Sequence, residues 1–206
     1  TKAPNHNIFS VIQDASSKWS KPETVFSEEF TEGKDVGSAS FSPDGRTMYL
    51  SVASQKEDGN AAVEIYSSSR AGGEWTAPQK LQFFRDSTIS VAHPSIAPDG
   101  ETIYFVSDAP NGKGGLDIWK GRLEGTECKY IENLGDTINT PGDEMFPYAR
   151  ADGSLYFASN GHPGMGGLDI FKAEMIDSMW VVTNMGYPIN SNYDDFGITF
   201  EADKEK

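Results

Sequence analysis

The residues whose types and spacing could do chemistry sit in two glycine-rich stretches, Ser-Asp-Ala-Pro-Asn-Gly-Lys-Gly-Gly-Leu-Asp at 107–117 and Ser-Asn-Gly-His-Pro-Gly-Met-Gly-Gly-Leu-Asp at 159–169. In the first, Asp108, Asn111 and Asp117 offer hard oxygens of the kind that surround calcium. In the second, Asn160 stands where the first aspartate was, leaving Asp169 as the remaining carboxylate. Calcium sites gather several carboxylates, and the alternation of an EF-hand is absent. A phosphate cradle fits no better, because the glycines run into a strand and not into a helix N-terminus.

Two acidic pairs, Asp143-Glu144 and Asp194-Asp195, could supply the carboxylates of a hydrolase. They fall at the same point of successive stretches, however, and an acid–base dyad needs two members in different environments. They are read instead as a rim on one face of the molecule, solvated or serving to dock a basic partner. His6, His93 and His162 share no spacing, and no Gly-x-Ser-x-Gly elbow occurs. The expectation is a non-enzyme with no catalytic, metal-binding or cofactor-binding residue.

The elements that must position these residues are repeated. Phe-Ser-Pro-Asp-Gly-Arg-Thr-Met-Tyr-Leu-Ser (41–51), Ile-Ala-Pro-Asp-Gly-Glu-Thr-Ile-Tyr-Phe-Val-Ser (96–107) and Ala-Arg-Ala-Asp-Gly-Ser-Leu-Tyr-Phe-Ala-Ser (149–159) are versions of one phrase. Their turn residues are Asp44-Gly45, Asp99-Gly100 and Asp152-Gly153, with steps of 99 − 44 = 55 and 152 − 99 = 53. A second phrase carries Glu64, Asp117 and Asp169, stepping by 117 − 64 = 53 and 169 − 117 = 52. In a third, Asn133 and Asn184, Ile138 and Ile189, and Asn139 and Asn190 all step by 51. A fixed order of phrases at a near-fixed period of about fifty residues marks a repeat protein.

Within each unit, short runs rich in β-branched and aromatic residues are separated by turn residues, without helical periodicity. Strands are expected at about 8–13, 39–42, 47–53, 62–68, 93–97, 102–107, 116–122, 129–133, 146–149, 154–159 and 168–174, with no substantial helix between 37 and 193. Four strands per unit, the last the most polar, predict an all-β fold, a β-propeller of four-stranded antiparallel blades. The chain would form about four blades, or part of a larger ring of the six-bladed kind. The expected division is the end of one blade at 1–36, full repeats at 37–89, 90–141 and 142–193, and the start of a further blade at 194–206, all one propeller segment of a longer polypeptide. Gly114-Gly115 and Gly166-Gly167 are expected to supply positive φ where the long hairpin re-enters its strand. Asp117 and Asp169 are expected to accept N–H groups of adjacent loops and pin blade to blade. Trp19, Trp75, Trp119 and Trp180 recur at strand positions, which suggests packing.

Composition narrows the function. A formal charge of −14 without a basic stripe opposes nucleic acid and anionic membrane surfaces. No run of 18 apolar residues is present to insert directly into a membrane. Cys128, the one cysteine, excludes an internal disulfide and reads as core filler.

The Pro-Asp-Gly phrases with Gly-Gly-Leu-Asp-Ile-Trp resemble the TolB-type propeller repeat of bacterial envelope proteins. The longer pattern, from Trp-x-x-Pro through Asn-Leu-Gly-x-x-Ile-Asn-Thr-Pro to Gly-Gly-Leu-Asp-Ile-Phe, resembles the WD-like propeller of large Bacteroidetes OmpA-family proteins. The PorE-like components of type IX secretion are similar in this way. The first full unit departs from it, with Ser-Gln-Lys-Glu-Asp-Gly-Asn-Ala-Ala-Val-Glu-Ile in place of the glycine phrase. The resemblance implies a non-catalytic interaction scaffold in the periplasm, associated with the outer membrane. Its partners would be other envelope or secretion-system proteins, and peptidoglycan would be reached only through a separate domain. Two other readings stay open: a gating propeller of a hydrolase such as an oligopeptidase, and a carbohydrate-binding propeller.

Overall fold

A computed structural model describes residues 6–55 and 61–200. A hairpin of β1 (Phe9–Ser10) and β2 (Glu23–Thr24) and a single turn of helix, α1 (Glu28–Thr31), precede the first full sheet. That sheet runs β3 (Lys34–Phe41), β4 (Thr47–Gln55), β5 (Ala61–Ala71), with β6 (Glu74–Trp75) and β7 (Gln79–Lys80) both paired to β5. The second contains β8 (Val91–Ile96), β9 (Thr102–Ser107), β10 (Asp117–Glu124) and β11 (Glu127–Asn133) in chain order. The third repeats this with β12 (Glu144–Ala149), β13 (Leu155–Ser159), β14 (Asp169–Ile176) and β15 (Met179–Asn184). Every pairing within these sheets is antiparallel, as the expected blades require. Among the described residues, no helix falls between 37 and 193.

The middle strands are buried on both faces, and period-two alternation sends each face to a different neighbour. Phe105 of β9 joins Ile65, Leu81, Phe83 and Trp119 between the first and second sheets. The next residue, Val106, joins Ile118, Ile138, Phe157 and Phe171 between the second and third. In β13 all five residues are buried. Cys128 lies in the first of these clusters, where burial pushes its thiol up to about 12, so it behaves as core filler. Trp119 is buried, and Trp75 and Trp180 pack against apolar clusters, but Trp19 is 64% exposed. Its short hairpin gives that ring no sheet to lie against.

The Asp-Gly turns follow from local chemistry. Asp44 accepts from the Ser42 hydroxyl at 2.6 Å and the Arg46 N–H at 3.0 Å, which hold its carboxyl below the usual range. Asp99 accepts from the N–H groups of Glu101 and Thr102, and Asp152 from the N–H and hydroxyl of Ser154. Gly45, Gly100 and Gly153 then take φ of 66°, 74° and 83°, which a side chain would resist. Strand β15 was not among the expected strands. Its entry turn is Asp177-Ser178, with φ of 49° and 64°, so the hairpin lacks the glycine that signals such a turn.

Candidate functional site

The glycine-rich loops are closed on themselves. Asp117 is 1% exposed and accepts the N–H of Lys113 at 2.5 Å and of Gly114 at 3.0 Å, and the side-chain amide of Asn133 at 2.8 Å. Asp169 accepts the N–H groups of Met165 and Gly166 in the same way. In the departing first unit the acidic member is Glu64, and the Lys80 ammonium takes the place of the Asn133 amide. Asp117 and Asp169 therefore brace their own loops, and the expectation that they pin blade to blade is corrected. Asp108 turns away from Asp117 and accepts the Ser90 N–H at 2.8 Å, so the two carboxylates suggested for calcium serve different backbone groups.

Blade-to-blade pinning falls to the first carboxylate of each acidic pair. Asp143, at the start of the third unit, accepts the N–H of Leu116 in the second at 2.9 Å, and Asp194 does the same for Leu168. Glu144, expected on a solvated rim, is 0% exposed and accepts from the Thr140 N–H, the Thr140 hydroxyl and the Ser159 hydroxyl at 2.8, 2.6 and 2.7 Å. Asp195 accepts the Ser191 N–H and hydroxyl in the equivalent place. Asp194 alone of the four is exposed. A continuous docking rim of Asp143, Glu144, Asp194 and Asp195 is thus corrected. The carboxylates are drawn inward because the connection between blades leaves backbone N–H groups that need acceptors.

The paired glycines also work differently from expectation. Gly114, Gly115, Gly166 and Gly167 are not among the glycines with positive φ. They are needed for close approach: a Cβ on Gly114 would overlap the backbone carbonyls of Gly142 and Thr140, and one on Gly166 the carbonyl of Tyr193. Sequence reasoning missed the asparagines. Asn139 is 1% exposed, accepts the Ile118 N–H at 2.8 Å and donates to the Ile118 carbonyl and Asn133 Oδ1, both at 2.9 Å. Asn190 repeats all three bonds with Ile170 and Asn184. The signal was present in the 51-residue step shared by both asparagine pairs.

Calcium-independent stabilisation follows. Asp117→Ala and Asp169→Ala should each lower stability by about 1–3 kcal/mol, the cost of stranding buried donors. Thermal melts with calcium and with a chelator should superimpose; a calcium shift lost in these variants would restore the metal reading.

What the repeats leave over gathers along the first strands. β3, β8 and β12 lie side by side, joined by the Ile96 N–H on Ser40 Oγ and the Ala149 N–H on Ser95 Oγ, both at 3.0 Å. Each carries a β-bulge. At the bulges of β8 and β12 stand His93, with φ 48°, and Phe146, with φ 52°. Their rings stack at 3.9 Å, and Phe146 stacks on Phe196 at 4.9 Å. The His93 N–H donates to Ser51 Oγ at 2.8 Å, and Nδ1 accepts the Phe146 N–H at 3.4 Å. This ladder borders an open cavity of about 860 Å³ along the first-strand face. His93 also lines a smaller cavity of about 380 Å³ with Asp35, Ser51 and Asp108, where His6 bonds Asp35. His162 lies elsewhere, its Nε2 at 2.9 Å from the Ile138 carbonyl.

Burial lowers the His93 pKa to about 4 from its ordinary 6.5. An unfolded chain binds this proton below about pH 6.5 while the native chain does not, so stability falls as pH drops from about 6.5 to about 4. At roughly 1.4 kcal/mol per unit, the loss approaches 3 kcal/mol. Asp35, Asp108 and His6 line the same cavity, so the measured quantity is the difference between wild type and His93→Phe. That difference should grow as pH falls; parallel stability curves for the two would refute the assignment.

No known family matches the chain, and no curated protein sequence does. Solved structures do resemble it. TolB from Acinetobacter baumannii superposes with a TM-score of 0.51 at 16% identity, over 87% of this chain and 38% of that one. An α-L-arabinofuranosidase from Lactobacillus brevis gives 0.49 at 12% identity, over 82% and 63%. One of two prolyl endopeptidases gives 0.48 at 15%, over 80% and 23%. The chain is a TolB-like β-propeller in fold, and it spans about two fifths of the TolB chain. Among the described residues, no helix is long and apolar enough to cross a membrane.

Proposed function

We propose that this propeller is a non-catalytic scaffold for protein–protein interaction. The observation that supports this reading is the fate of the repeated carboxylates. Asp117, Asp169, Asp143, Glu144, Asp194 and Asp195 each accept hydrogen bonds from the connections within and between blades. The residues that look most like chemistry in the sequence are thereby spent on holding the fold. Such a scaffold leaves loops and a first-strand face to recognise partners.

The resemblance of the repeat phrases to Bacteroidetes OmpA-family proteins supplies the setting: a periplasmic protein held to peptidoglycan by another domain, beside type IX secretion or envelope-organising components. Peptidoglycan affinity then resides outside these residues. The test pairs capture from an envelope extract with sedimentation against purified peptidoglycan. Specific envelope proteins should be retained, less so as salt rises, and the propeller should stay in the supernatant. Robust co-sedimentation with peptidoglycan, or a hydrolytic activity abolished by one substitution within the chain, would overturn the reading.

A further inference from the structure

The aromatic ladder has a missing rung. His93 and Phe146 stand at the bulges of β8 and β12, and Phe196, one residue before the Gly197 that matches Phe146 by the 51-residue step, extends their stack, with interplanar angles of 16° and 20°. The corresponding stretch of the first unit is Gly37-Ser38. On the facing wall, the second unit has Ala92 where the third has Met145, since 145 − 92 = 53. The cavity of about 380 Å³ opens where both substitutions to small residues coincide, bordered by Gly37, Ser38, Ala92 and the His93 ring. Its size falls in the range of small-ligand pockets, about 300–1,000 Å³.

We propose that this gap receives an aromatic ring carrying a positive charge close by, presented as an aromatic side chain next to an ammonium or guanidinium group of a partner protein. The natural occupant rests on the scaffold reading above; the slot does not. An incoming ring would continue the stack by lying against His93, whose other face is covered by Phe146. The ring nitrogen Nδ1 is already engaged with the Phe146 N–H, which holds the imidazole in orientation. Asp35 and Asp108 line the same cavity, both open to solvent, and the chain carries a net −14, so a cation is favoured over an anion. His93 stays uncharged above about pH 5 and does not repel it.

Calorimetric titration with tryptamine tests the slot, alongside indole-3-acetate, with the same ring and opposite charge, and hexylamine, with the charge and no ring. Tryptamine should bind one to one, at least tenfold tighter than either comparison. Asp108→Asn, which keeps an acceptor for Ser90, should weaken it several-fold. Ser38→Phe should abolish binding by supplying the rung from within. Ala92→Met should do the same by restoring the third unit's side chain, so a folding failure in one leaves the other decisive. Absence of tryptamine binding to the wild type, or equal binding of indole-3-acetate, would overturn the proposal. Undiminished binding to folded Ser38→Phe or Ala92→Met would do so too. Envelope capture reads the scaffold function separately, so loss of one result leaves the other standing.

Discussion

Replacing Glu144 with alanine should destabilise the protein by about 3 kcal/mol or more. Its side chain is fully buried and accepts three hydrogen bonds, two from Thr140 and one from Ser159. Stranding one buried donor costs about 1–3 kcal/mol, and bonds to a charged acceptor lie at the upper end. Rotation of the two hydroxyls recovers part of the loss, which keeps the total below the sum. Its own N–H meanwhile bonds the Leu116 carbonyl of the preceding sheet at 2.7 Å, so loosening Glu144 loosens a blade junction. Glu144→Gln retains one good acceptor and should cost less than half as much. Urea denaturation of the three proteins reads this directly. A loss below about 1 kcal/mol for Glu144→Ala would return the residue to the solvated surface.

Gly114→Ala and Gly166→Ala should each cost about 3 kcal/mol, the top of the usual range for overpacking. The added methyl would strike a backbone carbonyl of the next connection, from Gly142 or Tyr193, and backbone cannot swing aside as a side chain does. Gly45→Ala provides the contrast. Its φ is 66° with nothing near the added atom, so it should cost about 1 kcal/mol of backbone strain. Equal effects at Gly114 and Gly45 would mean that conformational freedom, and not close approach, explains the paired glycines.

Three features are legible in the chain alone. The Asp-Gly turns, the β-rich runs after them and the fifty-residue period are local chemistry, repeated. Turn residues act on their own backbone within two or three positions, so Asp44, Asp99 and Asp152 perform what their neighbours imply. The period then forces successive sheets to bury Phe105 and Val106 in opposite directions.

Partners distant in the chain were not legible. Nothing in Asp143-Glu144 says that the first carboxylate reaches Leu116, 27 positions earlier, while the second folds inward on Thr140. Both are simply acidic, and acidic pairs are usually solvated. Gly-Gly before Leu-Asp reads equally well as freedom of φ or as absence of Cβ, and only the approach of Gly142 and Tyr193 chose between them. The stack of His93 on Phe146 joins residues 53 apart on separate sheets, aligned by bulges whose place depends on strand register. The sequence by itself determined the propeller repeat and its turns, because these rest on nearest neighbours and periodicity. Tertiary structure alone decided which carboxylates are buried and where the ladder lacks a ring, because both depend on what the adjacent blade brings to the same few ångströms.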